Sequence, residues 1–316
     1  MEKAFDGGLT VLMPVYNCER YVAQAVRSVL NQSLSDFEFL VIDDGSTDRS
    51  AEVVKSFSDT RIRIIGKSHT GLADSLNRGL EIARIDADDI AVPKRLELQA
   101  EQIAKDPGTD VVAGYSVYFT GESNIEFAVK PPVADSEIRK MMDVHNPVNH
   151  STVTFRKKPV IDAGGYDAGF GCFEDFELWL RIRDKVRFCI IPENLAFTRL
   201  REDSMTTGAE AGKLYSLLNA NLKILREKGE DPEYISECEF RIEYFYGNRD
   251  RVREKRIGLN DPKLFAAYLS AHLPEKSFLR LKNSRLRYRL EMRRAERSRL
   301  QKELLSYVTP NETPEV

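Results

Sequence analysis

Nearly continuous apolar runs that end in acidic or small residues constrain this chain more than any other feature. Residues 9–15, LTVLMPV, and 37–42, FEFLVI, are apolar over a strand's length, as expected of strands covered on both faces of a parallel sheet. Pro14 is expected to end the ladder of the first. Between the two runs, Val22, Val26, Val29 and Leu30 recur at helical spacing, so residues 18–31 read as a helix that Asn17 can cap. Further strands are expected at 61–65 and 110–113. A Gly71-led helix over LADSLNRGL lies between them, and another helix follows Pro93, with Leu96, Leu98, Ile103 and Ala104 as apolar positions. This alternation predicts a doubly wound, mostly parallel α/β sheet.

Acids collect where such strands end. The second run passes directly into Asp43, Asp44, Gly45, Ser46, Thr47 and Asp48, at the sheet edge where open α/β folds bind ligands. The loop at 85–90, IDADDI, places Asp86 and Asp88 on one side of an extended segment, and their oxygens suit a hard cation, Mg²⁺ or Mn²⁺. Taken alone, that loop reads equally well as a solvated acidic turn.

Composition narrows the classes. At 316 residues the chain exceeds a usual single domain, so an α/β domain with an appendage is expected. With 47 basic and 50 acidic residues the net charge is -3, which argues against a general nucleic-acid binder. Cys18, Cys172, Cys189 and Cys238 are too widely spaced for a zinc pair or a disulfide framework, which suits a reducing compartment. With no apolar stretch of membrane-spanning length and no signal peptide, a cytoplasmic location is expected. There is no GxGxxG after the first strand and no GxxxxGK[ST] anywhere, so dinucleotide and P-loop chemistry lose their main support.

Four stretches in one order carry a family resemblance: PVYNCERYVAQAVRSVLNQSLSDFEFLVIDDGSTDRS, GLADSLNRGLEIA, DADD and GGYDAGFGCFEDFELWLR. Over about residues 9–206 the chain resembles the family 2 glycosyltransferases of GT-A fold. The resemblance implies a nucleotide-diphospho-sugar donor, a UDP-sugar foremost, a divalent metal at the DxD-type loop, and inversion at the anomeric carbon. Pro14 and Tyr16 match the first nucleotide-contacting loop. Asp43 and Asp44 stand at the nucleotide end, Asp44 at the position of the acid that hydrogen-bonds the base. Asp86 matches the sugar-binding position and Asp88 the metal position, with Asp89 sharing the metal role.

Glu174 and Asp175 open a helix, where acids are favoured by the macrodipole without catalytic duty. Adjacent residues face different ways, and the family match assigns Asp175 as general base, with Gly164, Gly165 and Tyr166 as a flexible approach. The stretch RLREDSMT resembles a lid over the diphosphate and presents Arg201, whose guanidinium suits phosphate oxygens; a surface arginine loop is the alternative. Tyr16 and Asp44 also have ordinary readings, a cap on the sheet and a helix cap. His69, His145, His150 and Trp179 are read as packing or loop residues. The QxxRW motif of processive synthases is absent, which favours one sugar per encounter.

One departure stands out. Relatives carry a short Gly-x-Tyr-Ile-x stretch between LEIAR and DADD, and here Arg84 leads directly to Ile85 and Asp86. Either the helix stops near Gly79, leaving 80–85 as strand, or the strand is damaged; this keeps an inactive relative in play beside the enzyme, with a nucleotidyltransferase as a weaker rival. The expected division is a GT-A domain over 1–207 and a helical extension over 208–316. Within the latter, the basic amphipathic stretch 276–302 suits either an anionic membrane surface, useful for a lipid-linked rather than a free saccharide acceptor, or packing on protein. The last residues, 309–316, are expected to be disordered. By resemblance the pathway is bacterial surface polysaccharide or lipopolysaccharide assembly.

Overall fold

The computed structural model describes residues 8–79, 83–201, 211–247 and 294–308. Its first half is a βα alternation, as predicted save for the short α2: β1 (Thr10–Val15), α1 (Val22–Leu30), β2 (Glu38–Asp43), α2 (Ser50–Lys55), β3 (Ile62–Gly66) and α3 (Leu72–Arg78). β1 pairs in parallel with β2, and β2 with β3. On its other side β1 takes β4 (Ala83–Arg84), again in parallel. β5 (Ile90–Ala91) and α4 (Arg95–Lys105) follow, then β6 (Val111–Thr120) and β7 (Asn124–Val129), α5 (Asp135–Met142), β8 (Thr154–Phe155), α6 (Lys157–Asp162), α7 (Glu174–Ile182) and β9 (Phe188–Arg199). The sheet runs β3-β2-β1-β4-β8-β6-β9-β5, with β7 on β6. β8 enters antiparallel between β4 and β6, so the sheet is mixed at its centre.

Pro14 does not end the ladder. β1 pairs with β2 through Val15↔Asp43, because the odd residues of β1 face β2 and Pro14, which has no N–H, faces the β4 side, where pairing stops at Leu12↔Arg84. Asn17 does not cap α1 either. It sits at φ 48, its Oδ1 accepts from the Thr47 N–H at 2.8 Å, and α1 starts only at Val22.

The helix before the acidic loop yields, as one branch of the expectation required. α3 ends at Arg78 with Gly79 as its C-cap, and β4 takes up the chain at Ala83, in register with Val11; residues 80–82 lie outside the described residues. Gly79 has φ -108, which any residue could adopt. It is glycine because a Cβ there would lie 2.4 Å from Leu12 Cδ1.

Alternation along β1 splits the core in two. Val11, Met13 and Val15 pack on α1, while Leu12 joins Leu40, Ile42, Phe176 and Trp179 on the other face. That second cluster also contains Leu218, Leu222 and Leu225 of α8 (Ala211–Glu227) and Ile235, Cys238 and Ile242 of α9 (Pro232–Tyr246). The boundary expected at 207 lies outside the described residues, and α8 and α9 beyond it share this core. At the far side, α10 (Arg294–Val308) buries Leu300, Leu304 and Val308 against Ile90, Phe119 and Phe197. The described part of the basic stretch thus packs on protein, while 276–293 and 309–316 lie outside the described residues. Among the described residues no helix is long and apolar enough to cross a membrane.

Candidate active site

The parallel register brings the acids to one edge. Val15 pairs with Asp43, so Tyr16 and Asp44 emerge side by side, and the Asp44 N–H donates to the Val15 carbonyl at 2.8 Å. Arg84 pairs with Leu12, which carries Asp86 just past the end of β4.

At the β2 end, Asp44 is almost fully enclosed and its oxygens are engaged. Oδ1 accepts from Lys67 Nζ and from the Thr70 N–H at 2.9 Å, Oδ2 accepts from the Gly71 N–H at 3.0 Å, and His69 Nδ1 lies 2.9 Å from Oδ2. Burial pushes this carboxyl up, but the Lys67 hydrogen bond and the two N–H groups outweigh it and hold it below the usual carboxylate range. The His69 ring also stacks on Tyr16, with centroids 4.0 Å apart and planes 15° apart, while Tyr16 stays 43% exposed. Asp43 serves the neighbouring turn, accepting from the Ser46 N–H at 3.1 Å.

In the acidic loop the three carboxylates have different surroundings. Asp86 receives a two-pronged contact from the Arg84 guanidinium and a hydrogen bond from Ser151 Oγ at 2.9 Å. Arg84 is enclosed, so its placement next to an acid resolves the problem of a cation on a central strand. Asp88 faces Arg201, Nε to Oδ2 3.3 Å, and burial followed by the Asp86 charge pushes its carboxyl up to about 6. Asp89 is 1% exposed: Oδ1 accepts from the Arg199 N–H at 2.8 Å, and Oδ2 has no hydrogen-bond partner among the described residues. Burial first, then Asp88 and Asp86, raise the Asp89 carboxyl well above its ordinary value.

The third part is the start of α7. Asp175 Oδ2 accepts from Asn146 Nδ2 at 2.9 Å. Burial pushes its carboxyl up to about 6 against the Phe176 N–H, Arg84 and Asn146, with Asp86 adding to the rise. Glu174 is 2% exposed, and burial with the adjacent Asp175 charge pushes it up to about 8. Its Oε1 lies 3.9 Å from His150 Nδ1, and burial, then Arg84, push that imidazole well below its ordinary value. The approach predicted to be flexible is clasped instead. Tyr166 is buried, its N–H donates to Asn77 Oδ1 at 2.8 Å, Asn77 Nδ2 donates back to its carbonyl at 2.9 Å, and its hydroxyl lies 3.0 Å from His150 Nε2.

The sequence matches the family described as glycosyl transferase family 2 over residues 10–165. It is 32% identical over 184 residues to the amylovoran biosynthesis glycosyltransferase AmsE of Erwinia amylovora, covering 55% of this chain and 68% of that one. It is 30% identical over 241 residues to the O-antigen biosynthesis glycosyltransferase WbnJ of Escherichia coli, covering 72% and 92%. The chain belongs to glycosyl transferase family 2. The fold agrees. A structure of S. aureus TarS 1-349 in complex with UDP-GlcNAc superposes with TM-score 0.58 at 19% identity, covering 95% of this chain and 91% of that one. A mannosyltransferase from Pyrobaculum calidifontis in complex with GDP-Man and Mn2+ does so with TM-score 0.54 at 15% identity, covering 96% and 87%. This glycosyltransferase has the GT-A fold.

For a metal, the donor set is sparse. Among the described residues no group of three or more acids, histidines or cysteines is gathered to hold an ion. Asp88 offers an oxygen neutralised only across an ion pair, and Asp89 Oδ2 is a buried oxygen that calls for a proton or a cation. That fits a Mg²⁺-like ion, which takes one or two protein carboxylates and completes its shell with substrate phosphates and water. Reading the glycosyltransferase from sequence missed Lys67, His69, Arg84, Asn146, Ser151 and Arg199. Lys67, His69, Asn146 and Ser151 lie outside the quoted stretches and reach the acids from distant parts of the chain. Arg199 opens the RLREDSMT stretch, whose reading singled out Arg201, and Arg84 stands two residues before Asp86, its charge on a strand being the signal that a partner was needed.

Proposed function

We propose that this glycosyltransferase moves one sugar, with inversion, from a nucleotide-diphospho-sugar to an acceptor hydroxyl in surface polysaccharide or lipopolysaccharide assembly, using a divalent metal. The observation that carries the reading is the meeting of three parts at one sheet edge: the Tyr16 and Asp44 end, the Asp86 and Asp88 loop, and Asp175, whose protonation responds to Arg84 and Asp86. Tyr16 stacks on the base, with Pro14 buried behind it in β1, and the base takes the place that the His69 ring holds on Tyr16 and on Asp44 Oδ2. Asp43 keeps the adjoining turn in shape. Asp86, held by Arg84 and Ser151, accepts hydroxyls of the donor.

Asp88 is the oxygen ligand for Mn²⁺ or Mg²⁺, with Asp89 behind it; when bound, the ion neutralises charge on the departing diphosphate. Arg201 exchanges Asp88 for a diphosphate oxygen, a pairing that guanidinium geometry favours. Asp175 takes the acceptor hydroxyl's proton as that oxygen attacks the anomeric carbon. Asn146 orients it through the 2.9 Å hydrogen bond, and Arg84 opposes the rise that burial imposes. The polysaccharide setting rests on AmsE and WbnJ, and the UDP-sugar on TarS, whose structure holds UDP-GlcNAc.

The test is a hydrolysis and transfer screen of UDP- and GDP-sugars with Mn²⁺, Mg²⁺ or EDTA, with product anomers assigned by NMR. The reading expects cleavage of at least one donor, lost in EDTA, and an inverted product. No cleavage of any donor would favour an inactive relative, and a retained configuration would remove Asp175 as the base.

A further inference from the structure

Arg199, the last residue of β9, is buried. Its side chain joins three other elements. Nε donates to the Asp88 carbonyl at 3.1 Å, Nη1 to the Gly121 carbonyl in the turn after β6, and Nη2 to Gln24 Oε1 of α1 at 2.9 Å. Its backbone N–H donates to Asp89 Oδ1 at 2.8 Å. The guanidinium is packed against the rings of Tyr21, 4.6 Å, and Phe119, 4.4 Å. A planar fork with five donors can reach acceptors in three directions and stack between two rings at once; a lysine ammonium can do neither.

We propose that Arg199 is the positioning residue of the metal loop, setting the Asp88–Asp89 backbone so that the Asp88 carboxylate meets the cation and the donor diphosphate. The inference rests on the functional reading above and adds a residue whose side chain ends on two backbone carbonyls and on Gln24. The geometry is specific to that loop: two of Arg199's four hydrogen bonds end on consecutive acids, and the other two anchor it to α1 and to the β6–β7 turn. Arg201, two residues on, also lies over Tyr21, at 5.6 Å, so the ring that seats Arg199 shares its face with the Asp88 partner.

Two variants test it, with UDP and GDP plus Mn²⁺ as probes. Arg199→Lys keeps the charge and removes the fork. Gln24→Met removes one anchor from a half-buried helix position, leaves the fold intact, and decides the question should the lysine variant fail to fold. Calorimetry should show nucleotide affinity in the presence of Mn²⁺ weakened at least tenfold in Arg199→Lys and several-fold in Gln24→Met. Electron paramagnetic resonance should show the Mn²⁺ half-saturation rising in the same order, which a purely structural role would leave unchanged. Variants that fold and keep both quantities within twofold of wild type overturn the inference. A wild-type chain that binds neither nucleotide with Mn²⁺ overturns the functional reading, and this inference with it.

Discussion

Asp175 and Asp88 carry the sharpest expectations. Asp175→Asn keeps the shape and the Asn146 neighbour but cannot accept a proton, so nucleotide binding should survive while transfer falls by about 10² to 10⁴. Steady-state kinetics beside calorimetry check it, and transfer within a few-fold of wild type would place the base elsewhere. The same residue sets a pH limit. Its carboxyl is pushed up to about 6 by burial, and only the unprotonated form is a base, so kcat should fall as pH drops below about 6 and level off above it. An acid limb near 4 would mean that the acceptor or metal cancels the burial. Asp88→Ala should abolish the Mn²⁺ dependence of nucleotide affinity, because the remaining carboxylates are the Arg84-bound Asp86 and the enclosed Asp89. Calorimetric titrations with and without the ion decide it.

Among elements, the turn before α7 is the most exposed to a single change. Gly165 has φ 76, and a Cβ there would lie 2.3 Å from Asn77 Oδ1, the oxygen that accepts the Tyr166 N–H. Gly165→Ala therefore combines backbone strain with a collision against the Asn77–Tyr166 clasp, and about 1–3 kcal/mol of stability should be lost. Urea unfolding measures this. Because Tyr166 backs His150 and so Glu174, kcat should drop in the same variant at temperatures where it is folded. Unchanged stability would mean that the clasp relaxes freely. The expectation of a flexible approach failed here because a glycine pair can mark tight packing as well as freedom, and only the distant Asn77 tells which.

For the whole molecule, α8 and α9 of the helical extension share a core with the sheet and α7. Asp143, after α5, pairs with Arg183 at the end of α7, Nη1 to Oδ1 2.6 Å, and both are buried. Asn221 of α8 donates to the same oxygen at 3.0 Å, and Tyr234 of α9 donates to the other at 2.7 Å. Asp143→Ala leaves Arg183 enclosed with, among the described residues, only the exposed Asp184 as an acidic partner at 4.0 Å, and removing one partner of a buried pair costs about 3–5 kcal/mol. Thermal unfolding should show one transition at lower temperature for the whole chain. Two transitions, with the higher one unmoved, would restore a separate extension.

What the sequence determined by itself is the alternation of strands and helices through the first half, the GT-A class, and the identity of the acids at the strand ends. Each of these depends on contacts near in sequence or on motifs whose spacing survives in one dimension: the apolar runs of β1 and β2 name their own burial, and DADD names its own chemistry. Tertiary structure decided the rest. Which face of β1 a proline may occupy depends on which neighbour its missing N–H would have met. Asp88, a candidate ligand, and Asp89, a buried tie, are neighbours in one acidic run, and they part only because β9 brings the Arg199 N–H to one and Arg201 comes to the other. His69 reaches Asp44 and Arg199 reaches Asp88 across 25 and 111 positions. No local pattern records such pairings, because charge and hydrogen-bond partners are chosen by proximity after the chain has closed.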